Sequence, residues 1–144
     1  AALAAEGTDW DAEFGAEVKE RDPVTGELPV DPYLQSNANA GAAPFDSARL
    51  LEAFGGREGI RRITERTFEL SEADRRIAAI FASHDMVRLK RTLSEHFCYL
   101  RGAGCDYTGR DMRSTHAEIG VTKADMNALV ENLQAAMREA RVPF

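Results

Sequence analysis

The chain has 144 residues, 44% of them hydrophobic and 29% charged, a balance that fits one compact domain with a sizeable core. It contains no run of about eighteen apolar residues and no basic, apolar secretory start, so no membrane-spanning helix is expected. The formal net charge of −6, with no basic stripe interleaved with aromatics, argues against a nucleic-acid partner.

The AALAA start fits a segment left after cleavage at a small-residue site and points to export, although a shortened chain would begin alike. Residues 1–45 carry nine acids against two bases, Lys19 and Arg21, whereas residues 46–144 are nearly balanced with fifteen acids and sixteen bases. The same first stretch holds four of the five prolines. Its apolar residues show no sustained period, apart from Trp10, Phe14 and Val18 at i, i+4 and i+8, which could make a short helix over residues 9–20 capped by Thr8 or Asp9. Two readings stand for residues 1–45: a disordered tail, or an arm that folds along a protein partner with its aromatics as anchors and its acids for steering.

From Phe45 onward the chain reads as helix after helix. DSARLLEAFGG opens on Asp46 or Ser47 as cap, buries Leu50, Leu51 and Phe54, and stops at Gly55-Gly56, where positive φ is cheap. A helix over about 57–71 follows, with Ile60, Ile63, Thr67 and Leu70 on one side and Arg61, Arg62, Glu65 and Arg66 mostly elsewhere. A short segment carries Ile77, Ile80 and Phe81. DMVRLKRTLSEHFCYLRG then sets Met86, Leu89, Leu93, His96, Phe97 and Leu100 on one helical stripe. Residues 102–109 form a glycine-bearing loop. A last helix, about 123–140, opens on Thr122 with Met126, Leu129, Val130, Leu133 and Met137 inward. Strand-like alternation is absent, so the fold class is all-α, with a boundary between residues 45 and 46.

The order FGGREGI, IFASHDMVRLK, HFCYLRGAGCDYTGRDMRSTHAEIGVT and a last amphipathic helix ending in VPF resembles the truncated haemoglobins of group I. The resemblance is greatest to their secreted or lipoprotein-type bacterial members. It runs from about Leu50 to Phe144, through Gly55-Gly56, Phe81, Arg88-Leu89-Lys90, Tyr107-Thr108-Gly109, Met112 and His116, and implies a 2-on-2 globin fold. It also implies a b-type haem with His116 as proximal iron ligand, the second ring nitrogen donating to a carbonyl or carboxylate.

By the same resemblance Phe68, Leu89 and Leu93 face the sixth iron position, where many members place a tyrosine and a glutamine that hydrogen-bond oxygen. Without those donors, each worth about 1.5–3 kcal/mol, oxygen release is faster by about one to two decades per bond, which disfavours tight oxygen storage. An NO dioxygenase activity is less favoured for the same reason. His96 is either a donor or sixth iron ligand, or a rim residue facing solvent or a propionate. Phe81, Met86, Phe97, Met112, Ile119, Met126 and Val130 line the cavity, and Lys90 and Arg113 pair with propionates. His84, ahead of Asp85 at a helix start, reads as a surface residue.

Cys98 and Cys105 are near enough in sequence for a bridge around YLRGAG, and secreted-type relatives have a similar pair; two free thiols in a cytosolic protein are the alternative. With the AALAA start, an oxidising compartment such as the periplasm is expected. Members of the family continue past VPF into a helix that covers the proximal haem face. Two functions follow: a haem protein that binds oxygen or nitric oxide or passes electrons, or a globin-fold accessory subunit docked by residues 1–45 and an open face near Leu129, Leu133 and Met137. No nucleophile elbow, phosphate loop or HExxH zinc motif is present.

Overall fold

The computed structural model describes residues 19–45 and 47–143. The chain divides into two compact units, Ala1–Asp31 and Pro32–Phe144. The second unit begins at Pro32, and residues 32–45 bond to the helices largely through polar side chains that a composition shift does not register. The helix expected over residues 9–20 lies largely outside the described residues.

In the first unit Asp22 organises a turn: its Oδ1 accepts the amides of Val24 and Thr25 at 2.7 and 3.0 Å, and its carbonyl accepts Gly26 N at 2.8 Å. Those amides hold the Asp22 carboxyl below its usual range.

The second unit opens with a 3-10 turn, Asn37–Ala40, capped by Ser36 and closed by Gly41 at φ 78°. Helix α1 spans Ala48–Ala53 with Ser47 as its cap, its side chain accepting Leu50 N. Gly55 at φ 85° makes the corner into α2, Gly56–Ala73. Gly59 lets the two helices cross closely, since a Cβ there would lie 1.9 Å from the Phe54 carbonyl oxygen. Helix α3 is Ala78–Phe81, α4 is Met86–Leu100 capped by Asp85, α5 is Met112–Ile119, and α6 is Lys123–Glu139, whose Thr122 and Asp125 form a capping box. Among the described residues no strand forms, as the lack of alternation predicts.

Helix α2 is the centre of the packing, lying along both α6 and α4. Its buried face holds Ile60, Ile63 and Phe68 together with Thr64, Thr67 and Ser71. The three hydroxyls return their hydrogens to the carbonyls of Ile60, Ile63 and Thr67 at 2.7–2.8 Å, so none is left unsatisfied. Ile63, Ala136 and Val142 form a core cluster with Phe54, Leu70, Leu133 and Met137 around it. Asn132 of α6 donates to Ser71 Oγ and Asp74 Oδ2, fixing the register of the two helices.

Leu133 and Met137 are partly buried against the core cluster, and Leu129 is half-buried. This packing corrects one expectation. On α6 the fully buried residues are Ala128 and Ala136, because the close approach to α2 admits only small side chains, while Met126 and Val130 stand 41% and 40% exposed.

Candidate functional site

Helix α5, which carries His116, starts where Asp111 Oδ2 accepts Ser114 N at 2.9 Å and stops at Gly120, φ 69°. That backbone bond, with the Ser114 side chain, also holds the Asp111 carboxyl below its usual range. The His116 ring is half-buried, and its Nδ1 lies 2.7 Å from the Met112 carbonyl oxygen. A carbonyl only accepts, so Nδ1 carries the hydrogen and Nε2 keeps its lone pair.

His96 sits one helix away in the same neighbourhood. Its Nε2 lies 3.0 Å from the Ala40 carbonyl, which makes Nε2 the donor, and its Nδ1 is sealed from solvent with no partner. Its ring meets Tyr107 edge-on at 5.4 Å and Phe97 at 6.1 Å. Burial pushes its pKa down, and the Ala40 bond opposes that. His96 is therefore not a solvent-facing rim residue: the turn at Ala40, remote in sequence, closes over it.

Tyr107 is buried, donates to the Arg110 carbonyl at 2.7 Å and touches Met112 Sδ at 3.3 Å, and burial raises its phenol pKa. Phe68, 3% exposed, meets Phe81 edge-on at 5.6 Å. Phe81 and Met86 border a shallow hollow of about 520 Å³ with Glu72 and Ala78. Leu89, Leu93 and Phe97 are half-buried, and Cys98 alone in α4 is buried. Ile119, Met126 and Val130 expose between 38% and 41% of their surface. Arg113 is exposed. Lys90 borders a separate groove between α2 and α4 with Arg57, Glu65 and Glu95. Cys98 and Cys105 have Cα atoms 5.6 Å apart and sulfurs at bonding distance. His84 is exposed, as expected.

The family model for bacterial-like globins matches residues 49–143. The chain belongs to the bacterial-like globin family. This globin is 28% identical over 98 residues to the group 1 truncated hemoglobin GlbN of Mycolicibacterium paratuberculosis, covering 68% of this chain and 72% of that protein. It is 24% identical over 93 residues to the group 1 truncated hemoglobin of Tetrahymena pyriformis, covering 65% and 77%. Among solved structures it resembles the 2/2 hemoglobin of Synechococcus sp. PCC 7002, which was solved in the cyanomet state with covalently attached heme. That match has a TM-score of 0.61 at 28% identity and covers 67% of this chain and 81% of that one. The Fe(III) truncated hemoglobin of Tetrahymena pyriformis shares the fold, with a TM-score of 0.62 at 24% identity, covering 65% and 80%. The fold is that of the 2/2 truncated globins, as the sequence resemblance implies.

The residues that sequence reasoning passed over are Tyr33, Asn37 and Asn39, which bond the loop before α5, Ala40, which bonds His96, and the pair Arg91 and Glu95 of α4, which holds Thr108 of that loop. Thr108 Oγ1 donates to Glu95 at 2.7 Å and accepts from Arg91 at 2.7 Å. The one local signal is SNANAG, a serine cap closed by a glycine, which marks a short turn but not its target.

Proposed function

We propose that this globin holds a b-type haem through His116 Nε2 as iron ligand and binds a small diatomic molecule such as oxygen or nitric oxide, or passes an electron. The observation that supports this reading is the His116 Nδ1 to Met112 carbonyl bond, which in the neutral ring puts the hydrogen on Nδ1 and leaves the Nε2 lone pair available. The donor set fits the group. His116 offers one imidazole nitrogen, the ligand that a haem iron would take from the protein. The exposed apolar side chains Ile119, Met126 and Val130, with the half-buried Leu89, Leu93 and Phe97, suit a flat apolar macrocycle. When bound, the haem supplies an iron that takes a sixth ligand and changes oxidation state.

The chain's own part is to orient Nε2 and to exclude water with Phe68 and Phe81. Phe68, Leu89 and Leu93 offer no hydrogen-bond donor to a ligand, so the reading predicts rapid exchange rather than storage. Arg113 could pair with a propionate; Lys90, in the groove beside Glu65 and Glu95, is the weaker candidate. Oxidation of Cys98 and Cys105 to a disulfide supports residence in an oxidising compartment.

Titration of the haem-free full chain with hemin tests the reading. One equivalent should sharpen and shift the Soret band of free hemin, and carbon monoxide or nitric oxide should shift it again after reduction. His116→Ala, folded by circular dichroism, should leave the spectrum of unligated hemin. A variant spectrum identical to the wild type, or a wild type that leaves the hemin band unshifted, would refute the assignment.

A further inference from the structure

Helix α5 aims His116 through the carbonyl of its first residue, Met112, yet no residue of α5 is fully buried and its cap, Asp111, bonds to Ser114 and Thr115 of the same helix. Something else must fix where α5 begins. The loop before it, residues 106–110, is bound residue by residue to the segment 33–41. Asn37 donates to Asp106 Oδ1 at 3.1 Å and accepts Tyr107 N at 2.8 Å. The Tyr33 hydroxyl donates to the Thr108 carbonyl and accepts from Arg88 at 2.6 Å. Asn39 donates to the Gly109 carbonyl at 3.3 Å, and a Cβ on Gly41 would meet Met112 Cβ at 3.9 Å.

Four consecutive loop residues thus each take a bond from this segment. The segment is itself stiff: Ser36 caps it, Gly41 closes it, and Asn39 ties back to the Leu34 carbonyl at 2.9 Å. The Tyr33 ring lies between the guanidinium groups of Arg88 and Arg110, at 5.5 and 4.7 Å. The Ala40 carbonyl also sets the tautomer of His96. All of it precedes residue 49, where the family match begins.

We propose that residues 33–41 form a strap that positions His116, with Asn37 and Tyr33 as its positioning residues. The proposal rests on His116 being the iron ligand. The strap locks the loop, the loop fixes Met112, and the Met112 carbonyl orients the imidazole, so the strap sets the direction of Nε2 without touching it. Arg91 and Glu95 of α4 hold Thr108 as a second anchor, which is why a strap variant loosens α5 rather than unfolding the chain.

The test is Asn37→Ala in the full chain, with the double variant Asn37→Asp/Asp106→Asn as rescue. In the double variant the carboxylate at 37 still accepts Tyr107 N and now also accepts from the amide at 106. In the haem-free chain, Asn37→Ala should move the ring nitrogen resonances of His116 and speed amide exchange at Tyr107 and Gly109, while Ile63 and Thr67 of α2 keep their protection. In the haem-loaded chain it should raise haem dissociation about tenfold, the fold-change expected for losing one to two hydrogen bonds. The double variant should return both readouts towards wild type.

Unchanged His116 resonances, an equal loss of protection in α2, or failure of the rescue would overturn the proposal. His116→Ala run alongside keeps the two ideas separate. If that variant binds haem as the wild type does, the ligand assignment fails, and the haem-free resonances still decide whether the strap positions the ring.

Discussion

Replacing Gly109 by alanine adds one methyl at the point where the loop folds back on Tyr107. That Cβ would lie 2.3 Å from the Tyr107 hydroxyl oxygen, 2.5 Å from Cζ and 2.7 Å from Cε1, against ordinary contact from 3.4 Å upward. The ring must therefore retreat by about 1 Å, but it is 5% exposed and tethered by the Arg110 carbonyl and Met112 Sδ. Overpacking of this kind costs about 1–3 kcal/mol, and losing the hydroxyl bond adds about 1 kcal/mol. Gly109 is not at positive φ, so alanine returns about 0.4–1 kcal/mol through the unfolded chain. The net is a loss of about 2 kcal/mol, or on the order of 1 M in a urea midpoint. Because the displaced ring touches both His96 and Met112, haem should also leave faster. In a Tyr107→Val background the added methyl should cost nearly nothing, a coupling of more than about 1 kcal/mol in the cycle. A Gly109→Ala chain as stable as wild type would refute the packing on which the site geometry depends.

Burial lowers the folded-state pKa of His96 below its ordinary 6.5, so between those values the unfolded chain binds more protons and stability falls as pH falls. Urea midpoints taken from about pH 8 down to about pH 5 should decline below about 6.5, and His96→Gln should flatten that decline; equal slopes would contradict it. Ile63→Ala, emptying a site 2% exposed at the centre of the core, should cost about 2–5 kcal/mol in the same assay. Reducing Cys98–Cys105 should remove up to about 2–3 kcal/mol, with faster amide exchange concentrated at residues 106–109 rather than in α2.

The helices were legible because periodicity and caps are local: the α4 stripe, the Thr122 capping box and the Gly55 corner all follow from neighbours in sequence. His116 was legible only through motif order, and its tautomer was not, since that depends on which carbonyl the ring meets. The position of His96 on a stripe told its side of the helix but not that Ala40, 56 residues away, would close over it. Residues 32–45 read as part of the arm because their attachment consists of single polar bonds, such as Tyr33 to Thr108 across 75 residues, which leave no periodic trace. The exposure of Met126 and Val130 was likewise hidden, because a helical pattern marks an apolar face without saying whether protein or a ligand covers it.

The most direct test of the account is a resonance Raman spectrum of the reduced, haem-loaded full chain prepared with two iron isotopes. The account predicts an isotope-sensitive iron–histidine stretching band that disappears in His116→Ala. A band that persists unchanged in His116→Ala, or a five-coordinate reduced wild type that lacks it, would show that His116 Nε2 does not hold the iron.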